Sequence, residues 1–191
     1  MKLPDIIGIA GTNGSGKDTL AELREKLEGV LHIGLGDMLR IEARKRGLEL
    51  SRANLGSIST EWEQQLGAGA LVQKVMEYYQ QERGGKGGLV ISSVRRVSEA
   101  EAIKRLGGII IWVDADRRAR YDRIRNSRGR VDDMISFEEF CAQEDAELYD
   151  KTGTKGAMNA ASVKDIADIK IENNFNSKEE YEAYLRDTFG L

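Results

Sequence analysis

The chain has 191 residues, 40% apolar and 32% charged, with 29 Lys and Arg against 32 Asp and Glu for a formal charge of -3. That length suits one compact domain and excludes a large multidomain machine, and the slightly acidic balance disfavours wholesale binding to nucleic acid or an anionic membrane. The only cysteine, Cys141, leaves no internal disulfide and no zinc site of several thiolates. The longest apolar run, residues 109–113, falls far short of the ~20 residues of a membrane helix, and Pro4 and Asp5 interrupt any apolar signal segment. The expectation is a soluble, cytoplasmic globule.

Short apolar runs alternate with longer helical patterns, the rhythm of a three-layer α/β domain with a mainly parallel sheet. The first strand is placed at 5–10. Directly after it comes Gly11-Thr12-Asn13-Gly14-Ser15-Gly16-Lys17-Asp18-Thr19, and then a helical run over 20–27. Glycines let the chain curl so that backbone N–H groups point inward, the helix adds its positive N-terminal end, and Lys17 reaches the β- and γ-phosphates of a triphosphate. This is a P-loop. The general pattern has Ser or Thr directly after the lysine to coordinate Mg2+; here Asp18 stands there, so the metal ligand is either Thr19 or Asp18, and Asp18 could also serve only the helix dipole.

A second strand is placed at 30–35. From 36 to 88 no strand pattern appears, and residues 37–83 read as a helical insert suited to binding an acceptor. Asp37 and Arg40 follow the second strand; Asp37 could serve metal-bound water, act as a base, or merely cap a helix beginning at Met38. Gly84 to Gly88 form a flexible lead into a third strand at 89–94, after which comes Arg95. Ser98 with Glu101 reads as a capping box. Ligands collect at the C-terminal strand edge of open α/β sheets, which favours Arg40 and Arg95 as clamps on an acceptor phosphate.

A fourth strand is placed at 109–114. Beyond it Arg117, Arg118, Arg120, Arg123, Arg125, Arg128 and Arg130 crowd into one stretch. Residues 117–161 read as a lid in which Arg123, Arg128 and Arg130 meet phosphates, while Arg117, Arg118 and Arg120 read as a solvated face paired with acids. Asp116 reads as the N-cap of that arginine-rich helix, and Asp114 is left without a role. Ser136 with Glu139 gives a second capping box, and 151–161 is expected to move or fray. A fifth strand at 168–172 precedes the box of Ser177 and Glu180, which opens a helix with the stripe Tyr181, Tyr184, Leu185, Thr188 and Phe189. His32, inside the second strand, and Cys141, on an apolar stripe, read as packing residues.

The segment 11–19 resembles the P-loop of nucleoside monophosphate kinases, and Gly36-Asp37-Met38-Leu39-Arg40 is similar to a stretch of adenylate kinases. Val90 to Arg95, with Glu99 to Ala102 beyond, resembles the strand-Asp-Gly-x-(Pro)-Arg segment of that superfamily, whose arginine contacts the acceptor phosphate. With Arg46-Gly47, Arg128-Gly129-Arg130 and a closing Ile-x-Asn-Asn strand end, the layout looks most like prokaryotic P-loop kinases related to dephospho-CoA kinase. The resemblance implies a five-stranded parallel sheet of order 2-3-1-4-5. One departure is Ser92, where relatives often carry an aspartate supporting the metal's water shell; its absence places more weight on Asp37.

The expected function is Mg2+-dependent transfer of the ATP γ-phosphate to a small phosphorylated acceptor, most of all a (deoxy)nucleoside monophosphate. Catalysis falls to Lys17, Asp37, Arg128 and Arg130, ATP binding to Gly11 through Thr19 with Arg123, and acceptor binding to Asp37, Arg40 and Arg95. Dephospho-CoA kinase is the alternative enzyme, since a ribose hydroxyl would call on a base such as Asp37. A nucleotide-controlled switch without a second substrate is the alternative of another class.

Overall fold

The computed structural model describes residues 1–82, 87–126, 135–148 and 160–191. Five strands form one parallel sheet of order β2-β3-β1-β4-β5, running β1 Ile6–Gly11, β2 Leu31–Gly34, β3 Leu89–Ser92, β4 Ile109–Asp114 and β5 Ile169–Glu172. Each lies within a residue or two of the stretch that its apolar pattern indicates. The central strand β1 is flanked by β3, where Ile9 pairs Ser92, and by β4, where Ala10 pairs Trp112. A strand buried on both faces reads as a continuous apolar run, and Ile110, Ile111, Trp112 and Val113 of β4 are all buried.

Alternation along the strands divides the core into two layers. On one face Ile7, Ile9, Val90, Ile111, Val113 and Ile171 meet α1 (Lys17–Glu28) and α9 (Lys178–Phe189). From α9 come Tyr181, Leu185 and Phe189 at helical spacing, all buried, while Tyr184 of the same stripe stays at the rim. On the other face Ile33, Ile91, Ile110 and Trp112 meet α2 (Leu35–Lys45), α3 (Arg52–Leu66), α4 (Ala70–Glu82), α5 (Val97–Arg105) and α8 (Ala160–Asp165). Full burial of one such aliphatic or aromatic side chain contributes roughly 1.5–3 kcal/mol, so the two layers together carry the fold.

Of the three expected capping boxes one forms in full and one by half. Ser136 accepts from the Glu139 N–H while Glu139 accepts from the Ser136 N–H, opening α7 (Phe137–Leu148). Ser177 accepts from the Glu180 N–H, with the Glu180 carboxylate turned to the Asn176 N–H. The box expected at Ser98 does not exist: α5 begins at Val97, and the Glu99 carboxylate, in the first turn, takes the N–H groups of Arg95 and Arg96. Glu99 stands three residues after the cap residue Arg96 and takes that residue's own N–H, the reach-back half of a box, so the helix starts earlier than expected. Helices α2, α3 and α4 fill the interval between β2 and β3, and α6 (Arg117–Asn126) follows β4. Of the glycine run, Gly84, Gly85 and Lys86 lie outside the described residues, as do 151–159 of the segment expected to fray.

Candidate active site

The loop from Gly11 to Gly16 joins β1 to α1 with α1's N-terminus at its end. Gly16 adopts φ 81, and a Cβ there would come within 2.5 Å of the Asn173 Nδ2, so only glycine fits this bend. Three distant side chains fix the loop. Thr12 Oγ1 donates to Asp114 Oδ1 at 2.7 Å, Asn173 Nδ2 donates to the Ser15 carbonyl at 2.8 Å, and Arg120 Nη1 donates to the Asn13 carbonyl at 3.2 Å. These bonds anchor the loop to the end of β4, to α6 and to the stretch after β5.

Asp114, which sequence reasoning left without a role, is the hub of this support. Its Oδ2 accepts from Lys164 Nζ at 3.0 Å, its Oδ1 also accepts from the Ala115 N–H at 3.0 Å, and Arg120 Nε lies 3.6 Å away. Burial pushes its pKa up, but the hydrogen bonds from Thr12, Lys164 and the Ala115 N–H outweigh it and hold the carboxyl below its ordinary value. The aspartate at the end of β4 was the available signal; its partners lie 102 and 50 residues away and leave no local pattern.

Arg120 corrects an expectation. It is buried rather than part of a solvated face, its guanidinium forked onto Glu144 of α7 and its Nε donating to the Ala115 carbonyl at 2.9 Å. Arg118 does sit on the exposed side, 3.4 Å from Asp122, and Arg117 bonds Asp145 and Glu144. Asp116 caps α6, accepting from the N–H groups of Arg118 and Ala119. Arg123 points to the loop after β5, where its Nη2 donates to the Asn173 and Phe175 carbonyls at 2.9 and 3.0 Å. Arg128 and Arg130, and with them the middle of the expected lid, lie outside the described residues.

Lys17 opens α1 with its side chain mostly covered, and its Nζ lies 4.0 Å from the exposed carboxylate of Asp18. Thr19, one residue further, is half-buried on the first turn. A hydroxyl at this point fits the oxygen donor set of a Mg2+ that takes most of its ligands from phosphates and water. Among the described residues no group of three or more His, Cys, Asp or Glu side chains gathers into a metal cluster.

Two cavities meet at the C-terminal edge of the sheet. One, of about 100 Å³, lies over the P-loop between Gly11, Thr12, Asn13, Lys17 and the α7 residues Phe140 and Glu144. The other, of about 360 Å³, is lined by Asp37, Arg40, Ser59, Ser93, Arg96 and Glu99. Arg95 lines both. Arg40 stands on the second turn of α2 rather than at a strand end, and its Nη1 donates to Asp37 Oδ1 at 2.8 Å. Asp37 is not an N-cap: α2 begins at Leu35 with Gly34 as its cap, and Asp37 lies inside the first turn. Glu99 is buried beneath Arg95 and Arg96, and burial pushes its carboxyl pKa up. Arg96 pairs with Glu63 of α3, tying this edge to the helical insert. His32 is half-buried, its Nε2 2.9 Å from the buried Ser92 Oγ, and Cys141 is half-buried on α7.

Residues 7–150 match the family model described as an AAA domain. A UPF0200 protein of Thermococcus kodakarensis is 34% identical over 185 residues, 95% of this chain and 94% of that protein. The chain belongs to the UPF0200 family and carries an AAA domain. A UPF0200 protein of Pyrobaculum aerophilum is 32% identical over 180 residues, 93% of this chain and 92% of its own length. Among solved structures, the UPF0200 chain is similar in fold to shikimate kinase from Bacteroides thetaiotaomicron, with TM-score 0.59 at 15% identity over 97% of this chain and 98% of that one. TT1252 from Thermus thermophilus gives TM-score 0.59 at 21% identity, over 100% and 99%. The fold is that of the P-loop kinases, as the expected strand order 2-3-1-4-5 required. Among the described residues no helix is long and apolar enough to cross a membrane.

Proposed function

We propose that this UPF0200 protein is an ATP-dependent phosphotransferase that moves the γ-phosphoryl group onto a small phosphorylated acceptor, a nucleoside or deoxynucleoside monophosphate. The observation that carries this reading is Arg95, which lines both the phosphate-loop cavity and the neighbouring 360 Å³ cavity. An arginine that lines both cavities would be able to serve an acceptor oxygen and a γ-phosphate together. A nucleotide switch needs no second pocket, and a cavity of about 360 Å³ lies within the range that holds a small-molecule ligand.

Phosphoryl transfer asks the protein for alignment and for charge to offset that of the transferring oxygens. The P-loop N–H groups and Lys17 would hold the β- and γ-phosphates, and Arg40 and Arg95 the acceptor phosphate. When bound, Mg2+ supplies neutralisation of the phosphate oxygens, with Thr19 as its protein ligand in preference to the exposed Asp18. Asp37 would face the metal's water shell from the acceptor side. Arg123, engaged by two carbonyls of the loop after β5, would serve ATP by shaping that loop. In the step itself an acceptor phosphate oxygen bonds to the γ-phosphorus as the bond to the β-bridging oxygen breaks, and ADP leaves. A phosphomonoester is already anionic at neutral pH, so no base is required.

The test is ATP consumption against a panel of monophosphates and dephospho-CoA, with Lys17→Ala as the control. Acceptor-dependent turnover with a monophosphate, lost in Lys17→Ala while the fold is kept, is the expected result. Turnover with dephospho-CoA alone would replace the acceptor assignment, and hydrolysis indifferent to every acceptor would overturn the transferase reading.

A further inference from the structure

Ser93 follows directly on β3 and adopts φ 63, making it the one non-glycine residue with positive φ among the described residues. A Cβ is sterically disfavoured in that region, which glycine enters freely. Sequence chemistry alone would place a glycine here. The serine lines the 360 Å³ cavity in the company of Arg40, Arg95 and Arg96 and is only half-buried. Its neighbour Ser92 is buried with its hydroxyl against the His32 ring at 2.9 Å, whereas the Ser93 hydroxyl makes no hydrogen bond within the described residues. Two adjacent serines thus have different fates: one is spent inside the sheet, the other keeps its hydroxyl at the cavity wall at the expense of backbone strain. Strain held at a cavity wall is a pointer to function.

We infer that Ser93 is a specificity-determining residue whose hydroxyl donates to an oxygen of the acceptor's phosphate, beside the guanidinium groups of Arg40, Arg95 and Arg96. A hydroxyl supplies one short, directional donor where the arginines supply charge, so it distinguishes a correctly seated phosphomonoester from an anion merely drawn in by the field. This assignment rests on the acceptor reading proposed above and deepens it.

Two variants separate the hydroxyl from the strain. Ser93→Ala removes the hydroxyl and keeps the strained Cβ; Ser93→Gly removes both. Calorimetric titration of nucleoside monophosphates and of inorganic phosphate is expected to show acceptor affinity falling roughly 3- to 10-fold in both variants. ATP affinity should not change. Thermal unfolding of the unliganded chain should shift upward in Ser93→Gly alone. Equal affinity of Ser93→Ala and the wild type for a monophosphate that the wild type binds overturns this inference and leaves the acceptor reading standing. A loss seen with monophosphates but not with inorganic phosphate overturns the phosphate assignment. A wild-type chain that binds neither probe overturns both readings together.

Discussion

Thr12 and Asp114, 102 residues apart, are joined by a 2.7 Å hydrogen bond that fastens the start of the P-loop to the end of β4. The same carboxylate holds Lys164 at 3.0 Å, so one side chain ties the phosphate loop to α8. Asp114→Ala leaves a threonine hydroxyl and a lysine without their acceptor. The expected cost is about 1–3 kcal/mol of stability together with weaker ATP binding, read by denaturant unfolding and nucleotide titration. The pH dependence has a definite sign. The folded pKa is held down, so the contribution of Asp114 is present above the unfolded value of ~3.9 and is lost as pH falls through the lower folded value. A variant whose stability deficit persists undiminished to the acid end of that window would show that Asp114 does not act through its charge.

Glu99 has the opposite sign. Burial raises its folded pKa, so its protonated form is the one the fold favours, and stability present below the unfolded value of ~4.3 is lost as pH rises through the folded value. Glu99→Gln keeps an oxygen to accept from the Arg95 and Arg96 N–H groups without the buried charge. Its Tm relative to wild type should rise between acid and neutral pH. A difference that stays flat across that range would mean the carboxylate is fully compensated where it stands.

Arg120 and Glu144 are both buried, and Glu144 also lines the cavity over the P-loop. Removing one partner of a buried pair strands the other, at about 3–5 kcal/mol, with the Asp114 carboxylate 3.6 Å from Arg120 Nε drawing Glu144→Ala toward the low end. An anion entering the phosphate loop would give Arg120 a new counter-charge. ATP should therefore raise the Tm of Glu144→Ala by more than it raises that of the wild type, and equal increments would detach this pair from nucleotide binding.

The fold was largely legible because its signals are local. The apolar runs of β3 and β4, the glycine-rich turn between β1 and α1, and the serine caps at 136 and 177 each carry their meaning within about ten residues. The supports of the candidate site were not, since they are made between residues far apart in the chain. Nothing near Asn173 announces that its amide reaches the Ser15 carbonyl, 158 residues away. Arg120 was misread for a related reason: an arginine among six others looks solvated until α7 brings Glu144 against it. The strain at Ser93 is invisible in the same way, because two adjacent serines at a strand end carry no mark of their backbone angles.

Arg40 and Arg95 line one cavity from different elements, and their variants should fail differently. Arg40 is exposed on α2, bonded to Asp37, and is not among the residues that line the P-loop cavity. On the proposed reading its guanidinium would meet the acceptor alone, and a charge-assisted bond of about 1.5–3 kcal/mol corresponds to a rise of roughly 10- to 150-fold in the acceptor's KM on Arg40→Ala, with kcat nearly kept. Arg95 lines both cavities, so its charge should also follow the phosphoryl group as it transfers. An interaction that strengthens in the transition state shows in kcat as well as KM. Arg95→Ala should therefore lower kcat and raise the acceptor's KM, with a smaller effect on the KM of ATP. If Arg95→Ala changes only the acceptor's KM, the residue is a binding clamp like Arg40. If Arg40→Ala disturbs ATP and acceptor equally, the 360 Å³ cavity is not the acceptor's.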